Sequence, residues 1–392
     1  MGFDPVSALG RNQLKLGTGG AGGIRTHDTL LTYTHFPGVR LRPLGHRSAC
    51  HRQAAAPSDA AGVSQAAGWW QTGRMGRINL AALAFLLAAA PLGAQDKPAE
   101  PVTPGSVIAA SKTSEWKAID PADLLVMDLA PDAKGGKRRV IVQLIPPPFS
   151  QGWVGNIRTL AKAHWWDGTS VYRVVDNWVA QWGDGEDDPK KAKTLPAGLT
   201  NTDAVPYTAG GVHRVIDALA FGVEKDAYAP SAFFLGGWPI ASDEMRIGAW
   251  PIHCYGSVGV ARDLSPNTGT GAELYAVIGQ APRQLDRNIA VIGRVIEGIE
   301  NLSALPRGKG AQGVYDDPAL RVPIVSVRLG SEMSAGEQPR FEYLASDSQS
   351  FADYVHVKAN RNDAFYKVPA GGIDVCNVQV PIRRIGAKAA VR

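Results

Sequence analysis

The chain reads as a mainly β protein with flanking helices. Three observations point there. Short runs rich in β-branched and aromatic residues recur between turn residues, notably Leu124 to Leu129, Arg139 to Leu144, Ser170 to Val175 and Trp178 to Trp182. Helical spacing of apolar residues is confined to two stretches of the globular part, Ser150 to His164 and Ser348 to Tyr366. The 392 residues include 44 glycines and 27 prolines, which implies plentiful turns and loops.

In chain order, the first apolar feature lies at residues 75–94. Met75-Gly76-Arg77 is a short basic start, Leu80 to Ala90 is an uninterrupted apolar run, and small residues close it at Ala94 before Gln95-Asp96. The run is too short to span a bilayer, so it predicts an export signal peptide cut near Ala94; the alternative is an alanine-rich helix of the folded part. Residues 1–74 have no hydrophobic periodicity. Their Gly19 to Asp28 and Pro43 to Ser48 phrases look like a transfer-RNA gene read as protein, so Met75 is the expected initiator. The other reading of residues 1–74 is a disordered extension.

Charge follows the same division. Residues 1–94 carry nine Lys/Arg and three Asp/Glu; taking these from the chain's 41 and 36 leaves 32 and 33, a net of −1. The basic character of the whole chain therefore belongs to the leader and gives no reason to expect a nucleic-acid partner. No stable membrane span is expected after the leader, and the oligomeric state is not legible.

Residues 95–120 read as linker and lead-in, and residues 121–330 as the main domain. Leu124 to Leu129 and Arg139 to Leu144 form a hairpin across the Pro131 to Gly136 turn, ended by Pro146-Pro147-Pro148. Ser150 to His164 follows as an amphipathic helix, with Trp153, Ile157, Leu160 and Ala161 inward, Arg158 and Lys162 outward, and Ser150 as its cap. Two strands joined by the turn pair Asp176-Asn177 come next. Simple alternation puts Val171, Arg173 and Val175 on one face and Tyr172 and Val174 on the other; after the turn, Val179 and Gln181 oppose Trp178, Ala180 and Trp182. Residues 185–255 form a proline- and aromatic-rich insertion, with a strand expected at Ile216 to Phe221 and covering loop elsewhere. Its length means that it should pack on something. Residues 331–392 are a C-terminal extension with a helix at Ser348 to Tyr366 and a strand at Ile373 to Ile382. After the leader only Cys254 and Cys376 remain, either a disulfide joining extension to insertion or two buried thiols.

The segment 169–184 resembles the signature of the cyclophilin-type peptidyl-prolyl isomerases, F-H-R-[IV]-x-x-x-F-M-x-Q-G-G-D. Arg173, Val174, Gln181, Gly183 and Asp184 match; Val171, Tyr172, Trp178, Val179 and Trp182 stand at substituted positions. Gly256 to Asp263 and Ser265 to Gly279 are similar to the family's G-x-[VL]-S-M-A-N/R and P-N-T-x-G-S-Q-F-F-I, with one extra residue in the loop. Here Ala261, Arg262, Asn267 and Gly271 match, Glu273 replaces Gln, and Tyr275 replaces the inner Phe. Leu285-Asp286 and Val291 to Gly298 resemble the closing block, with Gln284 at the frequent Trp and Ile289 at the frequent His. The resemblance runs from about Leu124 to Val327, with the insertion unmatched. It implies a closed eight-stranded β-barrel with flanking helices, a long insertion and a C-terminal extension, in a divergent, exported bacterial member.

For activity, the resemblance implies prolyl isomerisation. Arg173 would hydrogen-bond the prolyl amide as resonance is lost, and Gln181 would orient the arginine or contact the substrate backbone. Trp178, Val179, Tyr275 and Leu285 would line a proline pocket, and the main chain at Ala261 and Arg262 would take the preceding residue. Glu273 would place a charge beside Arg173, either engaging the guanidinium or holding it in place. The expected partners are proline-containing polypeptides, the compartment is the periplasm, and no cofactor or metal is required. The second reading is a cyclophilin-fold module that binds proline-containing or unfolded segments with little turnover, suggested by Trp178, Val179, Glu273, Gln284 and Ile289. Other chemistries lack their motifs. His164, His213, His253 and His356 have no metal spacing, Gly-x-Ser-x-Gly is absent, and Gly259 to Gly271 lacks the lysine of a phosphate loop.

Overall fold

The computed structural model describes residues 101–386, apart from 187, 204, 211–219, 224, 225, 245 and 246. The readings of residues 1–74 and 75–94 therefore lie outside the described residues, as do 216–219 of the strand expected in the insertion.

Eight antiparallel strands close into a barrel: β2 (Leu124–Leu129), β3 (Arg138–Leu144), β4 (Ser170–Val174), β5 (Val179–Gly183), β11 (Ser257–Val260), β12 (Leu274–Val277), β13 (Val291–Glu297) and β14 (Val322–Leu329). Around the barrel the order is β11-β12-β5-β4-β14-β2-β3-β13, closed by β11 on β13. Closure leaves no sheet edge open within the barrel. Its interior takes alternate residues of each strand, including Val142, Leu144, Val171, Ala180, Trp182, Val258, Val260, Leu274, Ala276 and Ile292. Helix α1 (Gln151–Lys162) packs Trp153, Val154, Ile157, Leu160 and Ala161 onto that core. One expectation about this helix changes: Ser150 precedes it with φ 55° and makes no side-chain capping bond. Arg158, off the core face, binds Asp123 at 2.5 Å and the Ala122 carbonyl.

The insertion is a sheet, not a covering loop. Strands β6 (Ala209–Gly210), β7 (Ala220–Val223), β8 (Ser231–Leu235), β9 (Trp238–Ser242) and β10 (Gly248–Pro251) form an antiparallel sheet in the order β6-β10-β9-β8-β7. Alternation divides its side chains between two buried layers. Phe233, Trp238, Ile240 and Ala249 join the barrel-side core. Ala232, Phe234, Ala241 and Trp250 join a second core with Phe351, Tyr354 and Val355 of the C-terminal helix Gln349–Ala359. A sheet covered on both faces can bury nearly every residue, which is what stabilises an insertion of this length.

The lead-in and the extension meet in a small sheet, in which β15 (Phe341–Leu344) lies between β1 (Trp116–Ala118) and β16 (Ile382–Arg384). The strand expected at Ile373 to Ile382 is instead a 3-10 turn at Val375–Asn377 followed by the short β16. Asp374 accepts from the Cys376 amide at 2.8 Å and so caps that turn. Cys376 is bonded to Cys254 in a disulfide that ties the extension to the end of the insertion. No helix among the described residues is long and apolar enough to cross a membrane.

Candidate active site

Arg173 lies on β4 beside a register shift. Ser170 and Val171 pair with Gly183 and Trp182, Arg173 and Val174 with Gln181 and Ala180, and Tyr172 is left over as a bulge. The extra residue re-aims the side chains C-terminal to it. Simple alternation places Tyr172 and Arg173 on opposite faces, yet both side chains reach Gln181. Arg173 donates from Nη1 to Gln181 Oε1 at 2.9 Å, and Gln181 Nε2 donates to the Tyr172 hydroxyl.

Arg173 is 3% exposed and Gln181 fully buried. On its other side Arg173 bridges Val314, and its Nε donates to the Gln312 carbonyl at 2.7 Å. The guanidinium carbon stands 5.4 Å from the centre of the Trp178 ring. A planar fork held from two sides in this way has little rotamer freedom left to lose on binding.

Glu273 joins the arrangement at one remove. Its Oε2 accepts from the Tyr172 hydroxyl at 3.0 Å and its Oε1 from the Asp184 amide at 2.7 Å. The expected charge beside Arg173 thus reaches it through Tyr172 and Gln181. Gly183 makes room, since a Cβ there would meet Glu273 Oε2 at 2.1 Å. Burial pushes the Glu273 carboxyl up to about 7, although Tyr172 and the Asp184 and Gly185 amides favour the ionised form. Burial and the nearby Glu273 likewise push the Tyr172 phenol well up.

Trp178, Val179, Ala261, Tyr275 and Leu285 come together in one apolar cluster with Val277 and Ile289. Val179, Tyr275 and Val277 project from the outer wall of β5 and β12, alternating with the barrel interior, with Trp178 and Ala261 next to the ends of β5 and β11 and Leu285 on the 3-10 turn Arg283–Leu285. Arg262 follows Ala261, but its guanidinium turns to the Asn288 carbonyl, with Nε and Nη2 at 3.1 and 3.0 Å. Arg173, Tyr172 and Glu273 also line a cleft of about 480 Å³, whose other walls include Trp165, Asn267, Thr270 and Gln312. Arg173 therefore stands between a cleft and, through Trp178, the apolar cluster.

Two buried residues to which sequence reasoning gives no role at the site, His253 and Asp286, touch this cluster. His253 is fully buried; its Nε2 is 3.0 Å from the Tyr275 hydroxyl and its Nδ1 is 2.9 Å from Asp286 Oδ1. From the sequence, His253 enters only among the histidines that lack metal-ligand spacing. The sign that could have found it is a tyrosine hydroxyl in place of a phenylalanine edge, because a buried hydroxyl needs a partner.

The family "Cyclophilin type peptidyl-prolyl cis-trans isomerase/CLD" matches residues 152–329. Residues 152–329 are a cyclophilin-type domain. Their family is one of peptidyl-prolyl cis-trans isomerases, and six of the eight barrel strands and the Arg173–Gln181 pair sit within the matched span. Among solved structures the chain is similar to cyclophilin AquaCyp293 from Hirschia baltica, at 20% identity and TM-score 0.50, over 70% of this chain and 95% of that one. It also aligns with a Cryptosporidium parvum cyclophilin type peptidyl-prolyl cis-trans isomerase at 13% identity and TM-score 0.30, over 53% of this chain and 97% of that one. The first likeness concerns the fold. No curated protein matches the chain. The 20% identity to AquaCyp293 fits a divergent sequence.

Proposed function

We propose that this chain is an exported prolyl isomerase that assists protein folding in the periplasm, with Arg173 stabilising the twisted prolyl amide. The observation that carries the reading is the fixed, buried guanidinium of Arg173 at the wall of a cleft, oriented by Gln181 and the Gln312 carbonyl.

The chemistry asks little more. An Xaa–Pro bond is held by amide resonance, with a barrier of roughly 18–20 kcal/mol. Twisting the bond ends that resonance and returns the lone pair to the prolyl nitrogen. A donor already aimed at the pyramidalising nitrogen favours the twisted form over either planar isomer, with no covalent step and no proton transferred. Gln181 keeps Arg173 from swinging to solvent. The Trp178, Val179, Tyr275, Leu285 cluster offers an apolar wall to the prolyl ring, while Ala261 and Arg262 offer main chain to the residue before it. The clients are polypeptides containing proline. The export signal at residues 75–94 and the disulfide between Cys254 and Cys376 both suit an oxidising compartment.

The test is proline-limited refolding of a reporter protein, with and without the mature chain and its Arg173→Ala variant. Acceleration that the variant loses supports the reading. No acceleration, with proline-peptide binding retained, leaves a binding module instead. N-terminal sequencing of periplasmic protein should begin at Gln95; protein retained in the cytoplasm with residues 75–94 intact would contradict the exported role.

A further inference from the structure

The insertion reaches the apolar cluster through a buried chain of polar groups. His253 Nδ1 faces Asp286 Oδ1 at 2.9 Å, and the other oxygen of Asp286 accepts from Arg283 Nε at 2.7 Å. Arg283 Nη1 in turn donates to Asp226 Oδ2 at 2.8 Å. His253 and Asp226 lie in the insertion, whereas Asp286 and Arg283 lie on the turn that carries Leu285. Burial alone would raise the Asp286 carboxyl, but hydrogen bonds from His253 and Arg283 outweigh it and hold the group below the usual range. Asp286 is therefore an ionised acceptor, and His253 Nδ1 carries a proton. In the neutral ring Nε2 is then left as an acceptor for the Tyr275 hydroxyl.

The other side of Tyr275 is fitted to the same end. Gly259 pairs with Tyr275 across β11 and β12, and a Cβ at Gly259 would lie 2.3 Å from the phenol oxygen. The ring lies flat over bare backbone, at the place where the cyclophilin pattern G-x-[VL]-S-M-A-N/R has Ser. Tyr for Phe, Gly for Ser and a buried histidine at the hydroxyl form one consistent set.

We infer that His253, supplied by the insertion, is a positioning residue for the isomerase site. By holding the Tyr275 hydroxyl it fixes the aromatic wall against which the prolyl ring packs. The inference rests on the reading of Tyr275 as part of the proline-binding wall. It gives the insertion a part in substrate binding: a brace on Tyr275 through His253, and on the Leu285 turn through Asp226 and Arg283.

The experiment measures kcat and KM for a proline peptide with the full mature chain and with Tyr275→Phe, His253→Ala and the double variant. Tyr275→Phe and His253→Ala should each raise KM roughly three- to tenfold, with kcat within about twofold. The double variant should be no worse than the more affected single variant, because both remove one linkage. His253→Gln, whose Oε1 reaches toward the position of the imidazole Nε2, should recover most of the loss and also serves where His253→Ala fails to fold. KM unmoved in Tyr275→Phe and His253→Ala while only the melting temperature falls, or KM effects that multiply in the double variant, would overturn the inference. A wild type with neither turnover nor peptide binding removes the reading of the site and this inference with it; an active wild type with unmoved KM in the variants removes the inference alone.

Discussion

Arg173 and Gln181 face each other across the β4–β5 ladder, and Nη1 of the first donates to Oε1 of the second at 2.9 Å. The bond exists because Tyr172 bulges out of register just before Arg173. The same amide then passes the link on to Tyr172, and Tyr172 passes it to Glu273. One guanidinium is thereby linked, through Gln181 and Tyr172, to the carboxyl of Glu273 just before β12.

The first prediction concerns Gln181. Gln181→Ala removes an orienting acceptor but leaves the charge of Arg173 in place. Turnover should fall about tenfold, the cost of one charge-assisted hydrogen bond. In an Arg173→Ala background the same change should cost little more, since both act through one group. Steady-state isomerase kinetics on the four proteins would show it; independent, multiplying losses would mean that Gln181 acts by another route.

Glu273 sets a pH dependence of stability. Its folded pKa, raised to about 7, lies above the unfolded value near 4.5. The native state therefore keeps a proton that the unfolded chain has released. This contribution is fully present below about pH 4.5 and is lost as pH rises to about 7, a change on the order of 3 kcal/mol. Glu273→Gln, which can still accept from the Asp184 amide, should flatten this part of the profile and raise the melting temperature most at pH 8. Equal melting temperatures for the two proteins at pH 5 and pH 8 would contradict it.

Gly259 is the site of a third test. Gly259→Ser or Gly259→Ala places a Cβ against the Tyr275 ring, a rigid and buried neighbour. Either change should destabilise the fold by about 1–3 kcal/mol, seen in urea unfolding, and should raise KM for proline peptides together with it. Unchanged midpoints would mean that the ring moves aside freely.

The disulfide closes a separation of 122 residues between insertion and extension. Cys254→Ser with Cys376→Ser should lower unfolding free energy by about 2–5 kcal/mol. The measurement is denaturant unfolding of both proteins under oxidising conditions, where matching curves would contradict the expectation.

The barrel is legible in the sequence because its strands announce themselves locally. Leu124 to Leu129, Arg139 to Leu144 and the 169–184 segment each combine β-branched residues with turn residues at their ends, and Arg173 and Gln181 follow from the motif. The bulge is not legible, since no residue type forces Tyr172 out of register; only the pairing with β5 does. The insertion reads as loop for a related reason. Its strands run two to five residues, and Pro239 and Pro251 lie inside them, where proline ordinarily argues against a strand. The link from His253 to Asp286 spans 33 residues, and no local pattern connects a lone histidine to a carboxylate that far along the chain.

Whether Arg173 lowers the barrier to rotation about a prolyl bond is tested most directly by exchange NMR on an Xaa–Pro peptide. With a catalytic amount of the protein, cis and trans resonances should show exchange cross-peaks that the peptide alone lacks, and Arg173→Ala at the same concentration should abolish them while still broadening the peptide signals through binding. Cross-peaks of equal intensity from the Arg173→Ala protein would contradict the account.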